Sequence, residues 1–537
     1  MSVYKKKNKI YKSQSYKTKT TEALAVLNQF SNVAGPILNI NKTVGMHIGK
    51  KRGKHKDILG IKFTKSPIKC LGIYVGGNQE ECDNLNWLPK LTEIEDTLNK
   101  WKFRDLTLFG KVTVIRTLAV SKLTFVGTNC KIPSGVIKKL NSLLYGFIWG
   151  QRDRIKRNVL INEIERGGIN MIDIESYFQS LNGSWIDRII KDKPYDSNWC
   201  FLAKEYMNTF GTDFLCNHFN IENLKNIPQL NMLPQFYQDI ILSNGKSKDN
   251  RPPQSKDDLL QEVIWGNSYI KYASKNNCHQ CIIFNSFIQQ GIIQVKDLKF
   301  VNGLLDETFI YDFIKNKSNI FREIMLLKKC LKPYKNIIDN HTPSTITRKQ
   351  PHSRTHTPLK NGCRYKCLIK FKIERPHTET LINNILQINI QDFAPIYKRK
   401  IKYIVEHKIA EFNYKLLHLI LPCNKNLKKW GKQETDLCSI CGITEDIPHL
   451  IFNCTHAANI WKNIQRTFSQ NLNLSKILLG VGEIVFDTVT SIIAYLIYKE
   501  WLVSNHNCNV RKWGNSCVYF KIDLKTRSKI YLYMRQN

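Results

Sequence analysis

A chain of 537 residues, 42% of them apolar, is long enough to bury the cores of two or three domains, which excludes a disordered tail. Lys plus Arg number 81 against 44 Asp plus Glu, a net charge of +37 spread over most of the length. Such a field repels itself in the folded state and draws polyanions, nucleic acid before a membrane surface because no amphipathic segment stands out as an anchor. Sixteen cysteines without regular spacing, in a chain that opens without a signal-peptide apolar core, fit a reducing compartment and not a disulfide framework. The expected setting is therefore intracellular, nucleus and/or cytoplasm, and not secreted.

Residues 1–20 hold seven lysines and no acid and read as a basic flexible arm. From Glu22, Ala23, Leu24, Leu27 and Phe30 share one helical face, which Asn32 to Pro36 breaks. Leu38 to Thr43 leads through Met46 and Ile48 to Gly49. The run from Lys50 to Lys56 suits phosphate contact or a solvated loop. Lys69 to Val75 is apolar and β-favouring, and reads as one short strand closed by Gly76-Gly77.

Leu88, Leu91, Ile94, Leu98 and Trp101 step by three and four, so residues 87–101 predict an amphipathic helix. After Lys102 to Asp105 a second stripe runs Leu108, Val112, Ile115, Leu118 and Ala119, and a third runs Leu140, Leu143, Leu144, Phe147 and Ile148. These stripes predict a compact basic three-helix bundle. Lys111, Arg116, Lys122, Lys138 and Lys139 lie on its polar faces and, with Lys69 and Arg104, are candidate phosphate contacts; a merely solvated face is the plainer reading. Gly167-Gly168 marks a turn with positive φ, a backbone requirement and not a sign of catalysis.

Residues 176–340 alternate short apolar stripes with polar breaks and read as a helical connector. Within them Asp257-Asp258, after Lys256, reads as a helix start. Cys278-His279-Gln280-Cys281 has no second ligand pair at finger spacing and is set aside as a metal site, as are Cys363 and Cys367. Residues 341–373 carry eight Arg or Lys, no acid and three Pro, a basic linker whose Arg348, Lys349 and Arg354 suit a phosphate-binding strap or a hinge. Phe412, Leu416 and Ile420, with Lys408 and Lys415 interleaved, predict a basic amphipathic helix that Pro422 stops.

The sharpest chemistry follows. Cys438, Cys441, His449 and Cys454 stand two, seven and four residues apart. A tight turn aims the first two sulfurs at one ion, Gly442 suits that turn, and His449 and Cys454 can close a tetrahedron. Four protein ligands leave no position for water, so zinc here is expected to be structural, supplying on the order of 10 kcal/mol of local folding energy. Ile460, Trp461, Ile464 and Phe468 form an apolar stripe on the far side, so the metal staples two helices whose own cores are small. Leu478 to Trp501 reads as one or two buried helices. Its most apolar part, Thr488 to Tyr498, is shorter than the roughly 20 residues a bilayer crossing needs. Lys512 to Asn537 is basic, with Tyr519, Phe520, Tyr531 and Tyr533 suited to base stacking or to packing.

Glu411 to His418, Cys438 to Cys441, His449 to Cys454 and Trp461 together resemble the zinc-binding C-terminal region of non-LTR (LINE-type) retrotransposon reverse transcriptases. Upstream, Leu38 to Gly49 and Lys69 to Val75 look like the segment after the catalytic strand and the primer-grip strand. Trp101, Arg104, Leu106 to Lys111, Val114-Ile115, Ser121 to Leu123, Pro133, Phe147 to Trp149 and Gly167 to Met171 resemble the thumb, which in that family clamps the template and primer duplex. Trp265 to Asn267, Gly291-Ile292, Val295 and Asp297-Leu298 look like the connector.

The resemblance implies a mainly α fold with a small α/β N-terminal part: arm 1–20, palm remnant 21–86, helical thumb 87–175, helical connector 176–340, linker 341–373, zinc-binding region 374–470 and a basic helical region 471–537. Two-metal polymerisation needs aspartates on adjacent palm strands, expected before residue 22. The first acid is Glu22, the first aspartate Asp57, and the family's aromatic-Ala-Asp-Asp signature is absent. No catalytic residue and no Mg site are therefore expected. No endonuclease, P-loop or Ser/His/Asp set takes their place. The expected function is binding of RNA or an RNA·DNA hybrid by a fragment that resembles the C-terminal portion of a reverse transcriptase. The alternatives are a shortened reading of an active RNA-directed DNA polymerase and a zinc-stabilised protein-interaction module. Expected partners are RNA and/or DNA and no membrane, with protein partners unspecified.

Overall fold

Apolar spacings of three and four dominate the sequence, and helices dominate the structure. The structure is a computed structural model that describes residues 16–47, 57, 59–150, 152–190, 200–201, 203, 233–247, 252–267, 269–273, 279–314, 320–343, 360–370, 372–468 and 471–506. The expectations for residues 1–15, the run 50–56 and the stretch 512–537 lie outside the described residues.

The first helix, α1 (Tyr16–Ala34), begins six residues before Glu22 and ends at Gly35, whose φ is +83°. Val26, Leu27, Phe30 and Val33 on it are exposed. Two short parallel strands, β1 (Val44–Gly45) and β2 (Lys62–Phe63), follow. The single strand expected over Lys69 to Val75 is instead a hairpin, β3 (Ile68–Cys70) against β4 (Ile73–Val75). Leu71 at φ +48° and Gly72 at +88° make its turn; positive φ at both central residues matches the twist of a tight hairpin. Buried Asn86 closes the hairpin's free edge, accepting from the Tyr74 N–H at 2.7 Å and donating to its carbonyl at 2.9 Å.

Asn86 sits on α2 (Gln79–Lys102), which starts eight residues earlier than the apolar stripe predicts. The Asn78 side chain caps it, Glu80 and Glu81 complement the positive end of the dipole, and Lys100 and Lys102 the negative end. Trp87, Leu91, Ile94 and Leu98 are buried, whereas Leu88 faces solvent. The second stripe is not one regular helix. α3 (Leu108–Val114) passes through a π-helical turn, Ile115–Ala119, and a 3₁₀ turn, Val120–Leu123, into α4 (Thr124–Asn129). The wider turn carries Leu118 outward and buries Ala119 and Leu123. α5 (Ser134–Trp149) buries Leu140, Leu144, Phe147 and Ile148.

After the short α6 (Arg157–Leu160), Gly167 takes the expected positive φ, +76°. Gly168 is there for a different reason: a Cβ on it would lie 1.9 Å from the Asn162 carbonyl oxygen. α7 (Ile174–Ile190) then leads to a second core. That core gathers Ile186 to Ile338 around Trp265, whose indole N–H donates to Ile292 O at 2.8 Å. It packs α8 (Gln235–Lys246), α9 (Lys256–Leu260), α10 (Asn285–Gln289), α11 (Glu307–Phe313), α12 (Ile320–Leu331) and α13 (Lys335–Ile338). The stretch read as a helical connector also holds two hairpins, Lys271–Ala273 with His279–Cys281 and Phe300–Val301 with Leu304–Leu305. Asn302 and Gly303, both at positive φ, turn the second. Asp257-Asp258 does open a helix: Ser255 and Asp258 form a reciprocal capping box.

The first core does not stop at the bundle. Trp87, Leu91, Leu144 and Phe178 belong to the same apolar cluster as Phe412, Tyr414, Ile451, Trp461 and Ile493. The Phe109 and Tyr414 rings meet edge to face at 5.9 Å, and Leu108 N–H donates to Glu411 Oε1 at 3.1 Å. α14 (Asn361–Ile369) ties this body to the second core through fully buried Arg364, which donates to Asp187, Asn244 and Ser247 at 2.8, 2.6 and 2.9 Å. α15 (Thr378–Leu386) and α16 (Ala394–Tyr397) complete the approach to the zinc motif.

Beyond that motif lie α20 (Leu474–Leu479) and α21 (Ile484–His506), which extend the expected buried stretch at both ends. Asp487 accepts from the Val481 and Gly482 N–H groups at 2.7 and 3.0 Å. Among the described residues no helix is long and apolar enough to cross a membrane.

Candidate metal centre

The helix that leads into the motif, α17 (His407–Leu417), buries Ile409, Phe412, Leu416 and Leu417. It ends before Pro422, the expected stop, because Leu419 turns to φ +53°. α18 (Asn424–Lys429) follows. Residues 436–445 then fold back on themselves. Cys438 N–H donates to Ile443 O at 2.7 Å, Gly442 N–H to Cys438 O at 2.9 Å, and Glu445 N–H to Asp436 O at 2.7 Å. Gly442 makes the reversal possible at φ +69°. A π-helical turn, His449–Asn453, supplies the other side. Cys454 N–H closes it on His449 O at 2.7 Å, and α19 (Thr455–Phe468) starts at once. The wide turn brings His449 and Cys454 to the same side as the two earlier sulfurs.

The donor atoms of Cys438, Cys441, His449 and Cys454 lie within 4.8 Å of one another. Cys454 Sγ is 3.9 Å from Cys438 Sγ and 3.8 Å from Cys441 Sγ. A tetrahedron with zinc–sulfur bonds of about 2.3 Å has an edge of about 3.8 Å, so these separations are those of a shared ion. They are nearly twice the roughly 2.05 Å of a disulfide. His449 is buried and its Nε2 has no hydrogen-bond partner, an arrangement that costs free energy unless a ligand meets that nitrogen. Burial raises the Cys438 and Cys454 thiols. A divalent cation reverses that preference, because its charge stabilises thiolate far more than burial penalises it. Three sulfurs and one imidazole suit zinc, and with all four positions filled the ion would supply folding energy and no reactive water.

Residues 382–461 match the model of a family described as zinc-binding in reverse transcriptase. This zinc-binding domain of the reverse-transcriptase type, with its Cys3His donor set, is held by partners that ligand spacing does not reveal. Thr455 turns its N–H and hydroxyl toward Cys441 Sγ at 3.5 and 3.4 Å, orienting that sulfur as an outer layer of donors does. Glu445 accepts from Asn424 N–H at 3.0 Å and Trp501 Nε1 at 3.1 Å. It ties the metal loop to α18 and α21, and burial raises its carboxyl above the usual range. Thr455 could have been suspected from its place beside Cys454. Glu445 could not, because its partners lie 21 and 56 residues away.

The candidate phosphate contacts are spread over several elements. Arg348, Lys349 and Arg354 lie outside the described residues. Lys69 is exposed on β3 with its ammonium 5.5 Å from the Tyr74 ring centre. Arg104, Arg116, Lys138 and Lys139 are exposed. Lys122 is held by Glu93 at 2.9 Å and Thr97 at 3.0 Å, Lys408 by Asp105 at 2.8 Å and Lys415 by Glu411 at 3.0 Å. Lys111 is half-buried and donates to Ile148 O at 3.0 Å; burial pulls its ammonium below the usual lysine range. Sequence reasoning missed Arg154, whose guanidinium lies 4.3 Å over the Trp430 ring. That pairing spans 276 positions and has no local signal.

Proposed function

We propose that this chain grips nucleic acid, RNA or an RNA·DNA hybrid, mainly through phosphates, as part of a reverse transcriptase of the non-LTR (LINE) type. The observation that carries the reading is the match of residues 382–461 to a zinc-binding domain of reverse transcriptase, in a chain of net charge +37. It is supported by the apolar core that joins that domain to the basic bundle, so that cations of both are carried on one packed unit. In this reading residues 87–175 act as the thumb and residues 176–340 as the connector. In this reading the chain's contribution is grip on the nucleic acid. The site of action is inside the cell, in nucleus or cytoplasm.

Fluorescence anisotropy with labelled single-stranded RNA and with an RNA·DNA hybrid tests this. Binding with Kd of about 1 µM or tighter in 50 mM salt is expected for at least one of them. No binding of either would refute the reading.

A further inference from the structure

We propose that Lys111, Arg154 and Lys415 form one composite site for the phosphates of a polynucleotide, built across the seam between the helical bundle and the zinc-binding domain. The inference rests on the nucleic-acid reading above and gives it an address. The three residues come from three elements: α3, the loop after α5, and α17. Each is half-buried. The seam is fixed by Leu108 N–H on Glu411 and by the Phe109–Tyr414 contact, so the spacing of the cations does not depend on flexible side chains alone.

Half-buried like charges repel more strongly than charges in water, and a fold keeps them together only where something offsets the cost. Lys415, Arg154 and Lys102 lie near enough to Lys111 for their charges to act on its ammonium, and the Glu411 carboxylate opposes them. Glu411 pairs with Lys415 at 3.0 Å, accepts the Leu108 N–H at 3.1 Å and also faces Lys111, so one carboxylate is shared between two of the three cations. Lys408, beside the seam, is answered by Asp105. Lys111 spends one proton on Ile148 O and keeps two donors for an anion. The Arg154 guanidinium carbon lies 4.3 Å from the centre of the Trp430 ring, a cation–π contact that leaves its N–H donors available to a phosphate.

Trp430 in turn takes its place from the metal loop. Asn424, at the head of α18, donates its backbone N–H to the Glu445 carboxylate at 3.0 Å and its side-chain amide to Leu437 O at 2.8 Å. Lys425 N–H donates to Glu445 O at 3.1 Å, and Trp430 N–H to Asn426 O at 3.0 Å. The aromatic plate that contacts Arg154 is thus tied through α18 to the loop that carries Cys438.

The test uses the full zinc-loaded chain and labelled RNA over a range of salt. A triple variant, Lys111→Gln, Arg154→Gln and Lys415→Gln, is compared with a triple of equal charge loss elsewhere, Lys131→Gln, Lys328→Gln and Lys366→Gln. The first is expected to weaken binding at least about tenfold and to reduce the salt slope by about 2 to 3; the second should do much less. Zinc content checks that each variant is folded around its ion. In the unsubstituted chain, bound RNA should protect Lys111 and Lys415 from acylation and leave Lys366 reactive, a readout that needs no variant. Equal effects of the two triples, no protection of Lys111, or competition by polyglutamate as strong as that by RNA would overturn the site while leaving nucleic-acid binding standing. A chain that binds no RNA at all would overturn both.

Discussion

Replacing Cys441 by serine removes one of the four donors and little else. Cys441 is the only ligand of the set that is not buried, a hydroxyl is close in size to a thiol, and it can keep the 3.4 Å contact with Thr455. Loss of the side chain's packing should cost no more than about 1 kcal/mol. Loss of the metal is far larger, because structural zinc contributes on the order of 10 kcal/mol to the fold around it. Part of that is retained by packing, since Ile451 and Trp461 are 0% and 1% exposed in the shared core. A local destabilisation of about 4 kcal/mol or more is therefore expected, equal to amide exchange about a thousandfold faster. Metal analysis should find zinc falling from about one per chain to near none. Hydrogen exchange should speed up at the amides of Cys438, Gly442, Glu445 and Cys454, while those of α2 between Trp87 and Leu98 keep their protection. A variant that keeps its zinc, or loses it with these amides still protected, would refute the reasoning.

Three further outcomes follow from named contacts. Arg364→Met takes the buried guanidinium away from the Asp187 carboxylate, only 10% exposed, and should lower stability by about 3–5 kcal/mol in a urea titration, with Asp187→Asn restoring part of it; an unchanged midpoint would contradict the pairing. Burial pushes His418 down to about 4, so the unfolded chain takes up its proton first. Its stabilising effect is complete above about pH 6.5 and shrinks as pH falls, by about 2 kcal/mol at pH 5. The wild-type chain should thus lose more stability between pH 7 and pH 5 than His418→Phe does, and equal losses would refute this. Gly168→Ala places a methyl group 1.9 Å from Asn162 O and should cost about 2 kcal/mol or more in thermal unfolding; a neutral result would show that the turn can relax.

The parts of this architecture that were legible in the sequence are those with a local cause. Four ligands at short spacing met around one point, and Leu91, Ile94 and Leu98 were buried as their period requires. Where the reading failed, the deciding contact was absent from the pattern. Residues 79–86, polar but for Cys82 and Leu85, gave no apolar stripe, yet the Asn78 cap and the hold of Asn86 on Tyr74 make them helical. A π-helical turn at Ile115–Ala119 moved Leu118 out of a stripe that looked regular. The shared core of bundle and zinc-binding domain, and the Arg154–Trp430 stack, join residues hundreds of positions apart, and no periodicity reports such pairs. Charge was the least informative signal. Lys122, Lys408 and Lys415 looked free on helical faces, but each has a carboxylate within 3.0 Å.

Phosphates are the expected ligand of this cationic body. The direct measurement is the salt dependence of RNA affinity for the zinc-loaded chain between about 50 and 200 mM monovalent salt. Engagement of three or more phosphates predicts a straight line of log affinity against log salt with a slope of about −2 to −3 or steeper, taking about −0.7 to −0.9 per phosphate. An affinity that stays flat across that range would contradict it.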